Sequence, residues 1–386
     1  MSIVIVVGGA VSTLLTWPKG EPTNTVWFWL RLLGFPALAS LLAYGLRLHY
    51  CEQETARLQA EDDVLAEDTA KAIQFAREPL AVLASTYVCA FENNAAEKIV
   101  ARQSRLEAHR PANGKFAIRH TALSQFNQTS LLNRYRSCFD GLLQHIGPSL
   151  HQLPTKVPLE VHLQLPTDAV HDGIVEAWRD CWQSAGFQSV ETTLVPQELG
   201  VMALDAWLDI RGGPGLEKFA LFVAAQLHDK PPANSAEAVA ALLLGWAPLT
   251  ERKGLTASAL LHRPVQEEKD NVNEAMSRAI QWGNSEATKI HDLWQTGLEP
   301  SDRSALMQTA ADLSLGLSQS EDGGGIYDVD AAVGHAGVAS AWLALALAVE
   351  HTSHTQRPQA VATRQTTLRV TVIQPATTIM ESGQQG

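Results

Sequence analysis

Cysteine is scarce in this chain and shows no pairing pattern. The four cysteines, Cys51, Cys89, Cys138 and Cys181, are scattered over 386 residues. None belongs to a CxxC motif, and no histidine lies at zinc-ligand spacing from one of them. The pattern is typical of free thiols in a reducing compartment, and it excludes a disulfide framework and a cysteine-based metal site.

Motifs for nucleotide binding and hydrolysis are also missing. The two glycine-rich stretches, RGGPG at 211–215 and EDGGGIYD at 321–328, match neither GxGxxG nor GxxxxGK[ST], so we interpret both as loops. The sequence contains no GxSxG elbow and no HExxH motif. It therefore predicts no cofactor and no metal ligand.

Charge is low and acidic. Charged residues make up 18% of the chain, below the roughly 25% usual in soluble proteins, and the formal net charge is −12. General nucleic-acid binding through a basic surface is therefore not expected. One cluster of basic residues predicts a solvated helix face, with a docking patch for an acidic partner as the alternative. Its members are Lys98, Arg102, Arg105, Arg110, Lys115 and Arg119.

The N-terminus carries two long apolar runs. IVIVVGGAVSTLLTW occupies 3–17 and WFWLRLLGFPALASLLAYGL occupies 27–46, where a spanning helix needs about 20 apolar residues. Aromatic residues stand at the ends of both runs, as they do at membrane interfaces, and Arg47 and Arg57 follow the second. We expect residues 1–50 to form a membrane anchor of one or two transmembrane helices, with the rest in the cytoplasm. Two buried helices of a soluble core are the alternative.

Beyond the anchor, the pattern changes to a helical stalk at 51–79 and then to alternating strands and helices. Period-two and continuous apolar runs predict strands at 157–165, 189–195, 218–228, 255–262 and 366–374. Amphipathic spacing and capping residues predict helices at 172–185, 234–245, 271–282 and 334–351. The chain is therefore expected to be α/β, with sheets covered by helices. We divide it into regions 80–250 and 251–375, followed by a disordered tail at 376–386.

The segment DAAVGHAGVASAWLALALAVEH, at 330–351, contains one candidate catalytic residue, His335. In the order of their elements and in local sequence, residues 218–373 resemble the C-terminal half of the thiolase-like condensing enzymes, the β-ketoacyl synthases. There, a GH motif opens a buried helix and its histidine activates the acyl chemistry. Gly334 and His335 match that motif. The helix N-terminus would lower the pKa of such an imidazole.

The same resemblance implies that the chemistry has been lost. Those enzymes need a nucleophilic cysteine on a strand-to-helix turn, beside the N–H groups of an oxyanion hole. None of the four cysteines has such surroundings, and the second histidine of those enzymes has no clear counterpart. We therefore expect a thiolase-like layered fold without enzymatic activity, in which His335 is structural and pairs with a backbone group or a carboxylate.

A second resemblance covers most of the chain beyond residue 130. In order, EAWRDCW, LDAWLD, NSAEAVAALLLGW, LLHRP, LWQTGL and GHAGVASAWLALALA are similar to segments of the type VI secretion lipase adapter proteins of Gram-negative bacteria. Residues 80–130 depart from that pattern. The resemblance implies an adapter that binds a phospholipase effector in the cytoplasm and hands it to the spike protein of the type VI secretion apparatus, with an inner-membrane anchor.

Tryptophan offers candidates for a partner surface, because it is over-represented among interface hot spots. The candidates are Trp207, Trp246, Trp282 and Trp294.

Two other functions remain open at this stage. One is a thiolase-like acyltransferase or synthase that uses His335, and the other is a membrane-tethered structural scaffold.

We expect the full-length protein to sediment with inner membranes, because its apolar N-terminus is long enough to insert. Residues 1–50 fused to a soluble carrier should move the carrier to the same fraction, whereas a chain starting near residue 78 should stay in the supernatant. Fractionation followed by immunoblotting measures both. Recovery of the full-length chain entirely in the supernatant contradicts the anchor.

Overall fold

The apolar N-terminal runs form a helical hairpin. The computed structural model describes residues 2–91, 93–109, 117–123, 130–167, 171–269, 271–319 and 325–376, and the chain forms two compact units, Met1–Ala72 and Ile73–Gly386. The hairpin comprises α1 (Ser2–Thr16), α2 (Val26–Trp29), a π-helical turn (Leu30–Gly34) and α3 (Phe35–Ala76).

Close backbone approach holds the two arms of the hairpin together. A Cβ atom on Gly9 would lie 2.8 Å from Cβ of Pro36, and Thr13 Oγ1 donates to the carbonyl of Arg31 over 3.1 Å. The stretch Val26–Ala76 is long and apolar enough to cross a membrane, whereas the apolar helix Val6–Thr16 is shorter. The stalk expected at 51–79 is helical to Ala76 and continues the second apolar run without a break.

The α/β unit begins with five strands of one sheet and the helices between them. The sheet strands are β1 (Leu80–Val88), β4 (Leu159–Gln164), β5 (Thr192–Leu194), β6 (Phe219–Gln226) and β8 (Ala238–Trp246). The helices are α4 (Ala95–Val100), α5 (Leu131–His151), α6 (His171–Ser184), α7 (Met202–Leu208) and α8 (Ala247–Arg252). The short strands β2 (Ala108–His109), β3 (Ile118–Thr121) and β7 (Ser235–Ala236) form a separate small sheet.

A second set of strands and helices follows. Its strands are β9 (Ala259–Leu261), β10 (Val265–Gln266), β11 (Asp292–Thr296), β12 (Ile326–Asp328), β13 (Gln359–Arg364) and β14 (Leu368–Pro375). Its helices are α9 (Val272–Trp282), α10 (Pro300–Asp312), α11 (Val329–Val333) and α12 (Ser340–Thr355), with short 3-10 helices at Ala287–Lys289, Gly316–Gln319 and Gly337–Ala339.

The two sets repeat one topology. Across the sheet, the first half runs β5-β4-β6-β8-β1 and the second half runs β9-β14-β13-β11-β12, so the order is mirrored about the β1–β9 junction. In each half the first three strands from the outer edge are parallel, and the next two pair antiparallel. The order predicts a duplicated α/β unit, in which α5 and α6 correspond to α9 and α10, and α7 corresponds to α12.

Helices cover both faces of the strands. Alternate residues of β6, such as Phe222 and Val223, belong to two different hydrophobic clusters. One cluster contains α7 and α12, and the other contains α5 and α6, while a third joins α9 and α10 to β13 and β14. The expected α/β fold with sheets covered by helices is confirmed.

Several predicted elements are confirmed, although their boundaries differ by a few residues. Strands lie within the predicted ranges 157–165, 189–195, 218–228 and 255–262, β14 overlaps 366–374, and helices match 172–185 and 271–282. Asn271 caps α9 by accepting the Glu274 N–H, as its spacing predicts. The glycine-rich segment 211–215 is a loop, but Ile326–Asp328 of the second is strand β12. Residues 321–324 and 377–386, the latter most of the predicted tail, lie outside the described residues.

The helix predicted at 234–245 is wrong, because this segment forms β7 and β8. Every residue from Ala238 to Gly245 is buried, and β8 is paired on both sides, with β6 and with β1. A strand covered on both faces is apolar throughout, so its Ala and Leu residues imitate a helix when only the local sequence is considered. Asn234 and Glu237 do not form a capping box.

The basic cluster is not one helix face. Lys98 lies on α4, whereas Arg105 precedes β2 and Arg119 lies on β3. Arg110 and Lys115 lie outside the described residues. The described members therefore lie on a helix, in irregular segments and on a strand, and the single solvated helix that their spacing predicts does not form.

Glu237 is half of a buried ion pair that joins α5 to the start of β8. Its carboxylate accepts hydrogen bonds from Arg134 and from the backbone N–H groups of Leu123 and His228, both at 3.0 Å. Arg134 also donates to the His228 carbonyl over 3.2 Å. Both charged side chains are buried, so their charges are balanced inside the protein rather than by water.

Replacing Glu237 with Ala should lower the free energy of unfolding by about 3–5 kcal/mol, because Arg134 would keep its buried charge without a partner. Asp180→Ala, which breaks an exposed pair with Arg136, is the matched control and should cost less than about 1 kcal/mol. Urea unfolding of the full chain in detergent, followed by tryptophan fluorescence, measures both. Equal losses for the two variants would contradict the assigned role of the buried pair.

Candidate functional site at the two strand-to-helix turns

Each half of the α/β unit has a turn that leads into a central helix. In the first half, residues 195–201 connect β5 to α7, and we call this the first turn. In the second half, residues 334–339 connect α11 to α12, and we call this the second turn. The topological repeat makes the two turns equivalent, and the second contains His335.

His335 lies in a β-bridge and not in a helix. Its N–H donates to the Asn234 carbonyl, and its own carbonyl accepts from the Ala236 N–H, both at 2.9 Å. Gly334 adopts φ +96°, and a Cβ there would lie 2.5 Å from the carbonyl oxygen of Ser235. The prediction that α12 begins at Gly334 is therefore wrong, because bridge formation with Ser235 holds the backbone out of the helix until Ser340.

The imidazole of His335 is held from one side. Its Nδ1 lies 3.5 Å from Oδ2 of Asp330 and 3.3 Å from Oγ of Ser340. Asp330 in turn accepts from Thr296 Oγ1 and from the Gly297 N–H, both at 2.6 Å. Among the described residues no hydrogen bond reaches Nε2 of His335, and 46% of the side chain is exposed. Asp330 is thus a carboxylate partner, one of the two kinds of partner expected for this ring, the other being a backbone group.

The electrostatics of this pair differ from the expectation. The hydrogen bond to Asp330 raises the pKa of His335, against the opposing effect of burial. Burial alone would raise the pKa of Asp330, but hydrogen bonds from His335, Thr296 and Gly297 hold it below its ordinary value. The prediction that a helix N-terminus lowers the pKa of His335 is wrong, because the ring precedes the helix and contacts a carboxylate.

A side chain from the first half occupies the second turn. The Gln226 Oε1 accepts the Val338 N–H over 3.3 Å, at the start of the 3-10 helix that precedes α12. Gly337 has φ +50°, and a Cβ there would lie 2.7 Å from the Gln226 Cδ. The Val338 N–H is therefore already hydrogen-bonded within the protein.

The first turn is packed in the same way by the second half. Its sequence is VPQELGV, without cysteine, serine or threonine. Arg369 Nη2 donates to the Glu198 carbonyl over 2.6 Å, and a Cβ on Gly200, at φ +48°, would lie 3.0 Å from Arg369 Nη1 and closer still to Gln365. Gln226 ends β6, and Gln365 follows the equivalent strand β13, so each turn is contacted by a glutamine of the other half.

The cysteines lie away from both turns. Cys138 and Cys181 are on the outer helices α5 and α6, and Cys51 is on α3. Burial raises the pKa of Cys89, Cys138 and Cys181 to about 12. Cys89 directly follows β1. Tyr87 of β1 contacts Glu350, which lies ten residues, or about 15 Å, along α12 from its start. Cys89 is therefore near the far end of α12 and not near the second turn. None of the three is a ready thiolate.

The four candidate tryptophans have different environments. Trp294 is fully buried and donates to Gln359 over 3.2 Å, and Trp207 is buried and donates to the Leu216 carbonyl over 3.3 Å. A role for these two at a partner surface is therefore wrong, because the core covers them. Trp246 and Trp282 are partly exposed, and the guanidinium groups of Arg252 and Arg278 lie 5.7 and 5.9 Å from their ring centroids.

The sequence interpretation missed most of the residues around the turns. These are Asp330, Gln226, Gln365 and Arg369. Asp330 had a local signal, since it is the first residue of the segment that contains His335. The other three act across 112 to 171 residues of sequence, and no local pattern marks them.

The His335–Asp330 pair should make stability depend on pH. A raised histidine pKa stabilises the fold fully below about pH 6.5, and this contribution is lost as pH rises through the raised value. The lowered Asp330 pKa contributes above about pH 4 and is lost as pH falls. His335→Asn should therefore lower the melting temperature by roughly 2 °C near pH 5.5 and less near pH 8.5.

His335→Ala, which cannot keep a hydrogen bond to Asp330, should lower the melting temperature more than His335→Asn does. Differential scanning fluorimetry of the full chain at both pH values measures this order. A His335→Asn protein with unchanged stability at both pH values contradicts the structural role of the imidazole.

Comparisons with known proteins identify the fold. No protein-family model and no curated protein matches the sequence. The oxazolomycin ketosynthase domain of Streptomyces albus JA3453 is similar in structure, with TM-score 0.52 and 12% identity over 77% of this chain and 95% of that one. The ishigamide ketosynthase/chain length factor has TM-score 0.53 and 13% identity, over 77% and 99% of the two chains.

A third structure agrees with these two. Ketosynthase twelve from the bacillaene polyketide synthase of Bacillus amyloliquefaciens has TM-score 0.53 and 13% identity, over 77% of this chain and 75% of that one. At such identities the similarity concerns the fold and not the chemistry. The α/β unit has the thiolase-like fold of ketosynthases.

Proposed function

We propose that the protein is a non-catalytic adapter that binds a phospholipase effector in the cytoplasm and delivers it to the type VI secretion spike. The proposed absence of catalysis rests on one observation, the sequence of the first turn. It occupies the strand-to-helix position where ketosynthase-like chemistry needs a nucleophile, and its sequence VPQELGV supplies none. The partner assignment rests on the ordered sequence segments that resemble the lipase adapter family.

The contents of the second turn support the same proposal. Oxyanion stabilisation requires backbone N–H groups aimed at a position that a substrate oxygen can occupy. Here the Val338 N–H is directed at the Gln226 amide oxygen. A substrate carbonyl would have to displace this side chain, which is packed against Gly337.

The interior between α7 and α12 is also filled. Phe222 stacks on Trp342 with a centroid distance of 5.0 Å, and Trp207 lies 6.4 Å from Phe222. Trp342 Nε1 donates to Gln164 over 2.6 Å, and both residues are buried. Large rings in fixed positions favour a solid core over a channel for an acyl chain.

The partly exposed tryptophans supply a candidate surface for the partner. Trp246 and Trp282 each carry an arginine against the ring, and Trp and Arg are the residue types most enriched at interface hot spots. The long N-terminal helix would hold the adapter at the inner membrane, with the α/β unit in the cytoplasm. Effectors captured there remain on the side of the membrane where they are made.

An acyltransferase is the second candidate function, and one observation favours it. His335 keeps Nε2 free of hydrogen bonds within the described residues while Asp330 holds Nδ1, an arrangement suited to proton transfer. Incubation with a radiolabelled acyl thioester separates this candidate from the adapter. Transfer of label to the protein, or turnover lost in His335→Asn, would establish the enzyme.

The test of the adapter is affinity purification from the native cell with partners identified by mass spectrometry. We expect a phospholipase to co-purify with the full-length chain. Trp246→Ala and Trp282→Ala should each weaken binding of the lipase about thirtyfold or more and so lower its recovery, since a hot-spot tryptophan contributes about 2 kcal/mol or more. Leu132→Ala, at a similarly accessible apolar side chain on α5, is the control and should leave recovery unchanged.

The outcomes separate the functions. Recovery of the chain with membrane components and no lipase favours the scaffold over the adapter. Export of the lipase should stop in cells that lack the chain and return when it is supplied again. Continued export without the chain contradicts the proposal.

A further inference from the structure

One buried arginine of the α/β unit differs from the other buried arginines in its partners. Three arginines among the described residues are buried: Arg134, Arg263 and Arg369. Arg134 pairs with Glu237, and Arg263 pairs with Asp205 and Asp209 at 2.9 and 2.6 Å. No described carboxylate lies within 4.0 Å of Arg369, although only 3% of that residue is exposed. An interior guanidinium without a counter-charge is strongly unfavourable.

The contacts of Arg369 are all neutral. Nη1 donates to Gln365 Oε1 over 2.8 Å, and Nη2 donates to the Glu198 carbonyl over 2.6 Å. Nε is buried and has no hydrogen-bond partner among the described residues. Burial lowers the pKa of Arg369, the direction expected of a cation that lacks a nearby anion.

Two more unsatisfied donors lie in the same hairpin as this guanidinium. Gln365 Nε2 and Thr367 Oγ1 are buried atoms that have no hydrogen-bond partner among the described residues. Residues 365 and 367 lie in the turn between β13 and β14, and Arg369 lies at the start of β14, so the three donors are within five residues of one hairpin. The hydrogen bond between Gln365 and Arg369 confirms that these two meet there.

The first turn contacts the same end of the hairpin. Gly200 brings its backbone against Gln365 and Arg369, an approach that a Cβ would prevent. The residues at this place therefore offer three donors, one positive charge and no negative charge. Glu198 is exposed, and only its backbone carbonyl contacts Arg369. Buried polar groups are nearly always satisfied, so three such donors within one hairpin are suited to an acceptor from outside the chain.

We propose that Arg369, Gln365 and Thr367 form a binding site for a carboxylate, between the β13–β14 hairpin and the first turn. One guanidinium balances one negative charge, so a monovalent carboxylate is favoured over a phosphate dianion. The ligand is a small carboxylic acid or the C-terminal carboxylate of a peptide, which share this chemistry. The site does not depend on the adapter function.

The first experiment uses acetate as the probe on the full chain in detergent. We expect sodium acetate to raise the melting temperature in a saturable manner, by roughly 2–4 °C at ten times its dissociation constant, relative to sodium chloride of equal ionic strength. Inorganic phosphate should give a smaller rise. No rise beyond chloride with up to about 100 mM acetate, or a larger rise with phosphate, overturns the proposal.

Variants separate binding from a structural role of the arginine. Thr367→Val removes one donor at constant shape and should weaken acetate binding about tenfold. Thr366→Val, on the exposed neighbouring position of the same turn, is the matched control and should bind acetate as the natural chain does. Equal acetate responses in these two variants overturn the proposal.

Arg369→Met tests the buried charge directly. Without acetate, its melting temperature should equal or exceed that of the natural chain, because an apolar side chain of similar size replaces an unpaired cation. It should show no acetate response. A strongly destabilised Arg369→Met, together with an acetate response retained in Thr367→Val, would show that the arginine only braces the first turn and would overturn the site.

Peptides identify the source of the carboxylate. N-acetyl-diglycine with a free C-terminus, compared with its C-terminal amide, reports on a peptide terminus, and acetate reports on small acids. Tighter binding of the free-acid peptide than of acetate assigns a chain terminus, and the reverse order assigns a small molecule. Equal binding of the free-acid peptide and its amide, with neither competing with acetate, excludes the peptide terminus.

Discussion

Burial of α12 on all sides is the constraint on which the rest of the α/β unit depends. Residues from Ser340 to Val349 are buried without interruption, and the helix contacts strands of both halves, among them β8 and β13. A helix in this position must be apolar around its whole circumference. Each half therefore has to present an apolar strand face to it, which explains why β6 and β8 are buried along nearly their full length.

Polar anchoring of this helix is confined to its ends. Before its first turn, His335 and Asp330 meet at the second turn. Near its last turn, His351 lies 3.6 Å from Asp292, which also accepts from Tyr327 over 2.8 Å. Charged groups at both ends and none between them fix the helix along its axis. The candidate site is thus also part of what positions the core, and its residues contribute to stability as well as to any recognition.

The sequence predicted the fold class because hydrophobic periodicity is strong in elements such as α6, α9 and β4. It misread β8 because a strand buried on both faces has no alternation, and its Ala and Leu residues favour helix. Gly334 and His335 were found by motif, yet their bridge to Ser235 comes from 100 residues away. The unsatisfied donors of Gln365, Thr367 and Arg369 could not be predicted for the same reason, because their surroundings include the first turn, which is distant in sequence.

Mutual contact between the halves has a consequence for how the chain is made. The first turn is complete only when Arg369 reaches the Glu198 carbonyl, across 171 residues of sequence. When only the first half has been synthesised, the first turn is therefore open, and the edge of the sheet at β1 has not yet paired with β9. Such an intermediate exposes strand edges and apolar surface, the features that make nascent chains aggregate. Pairing of β9 with β1 removes that exposed edge.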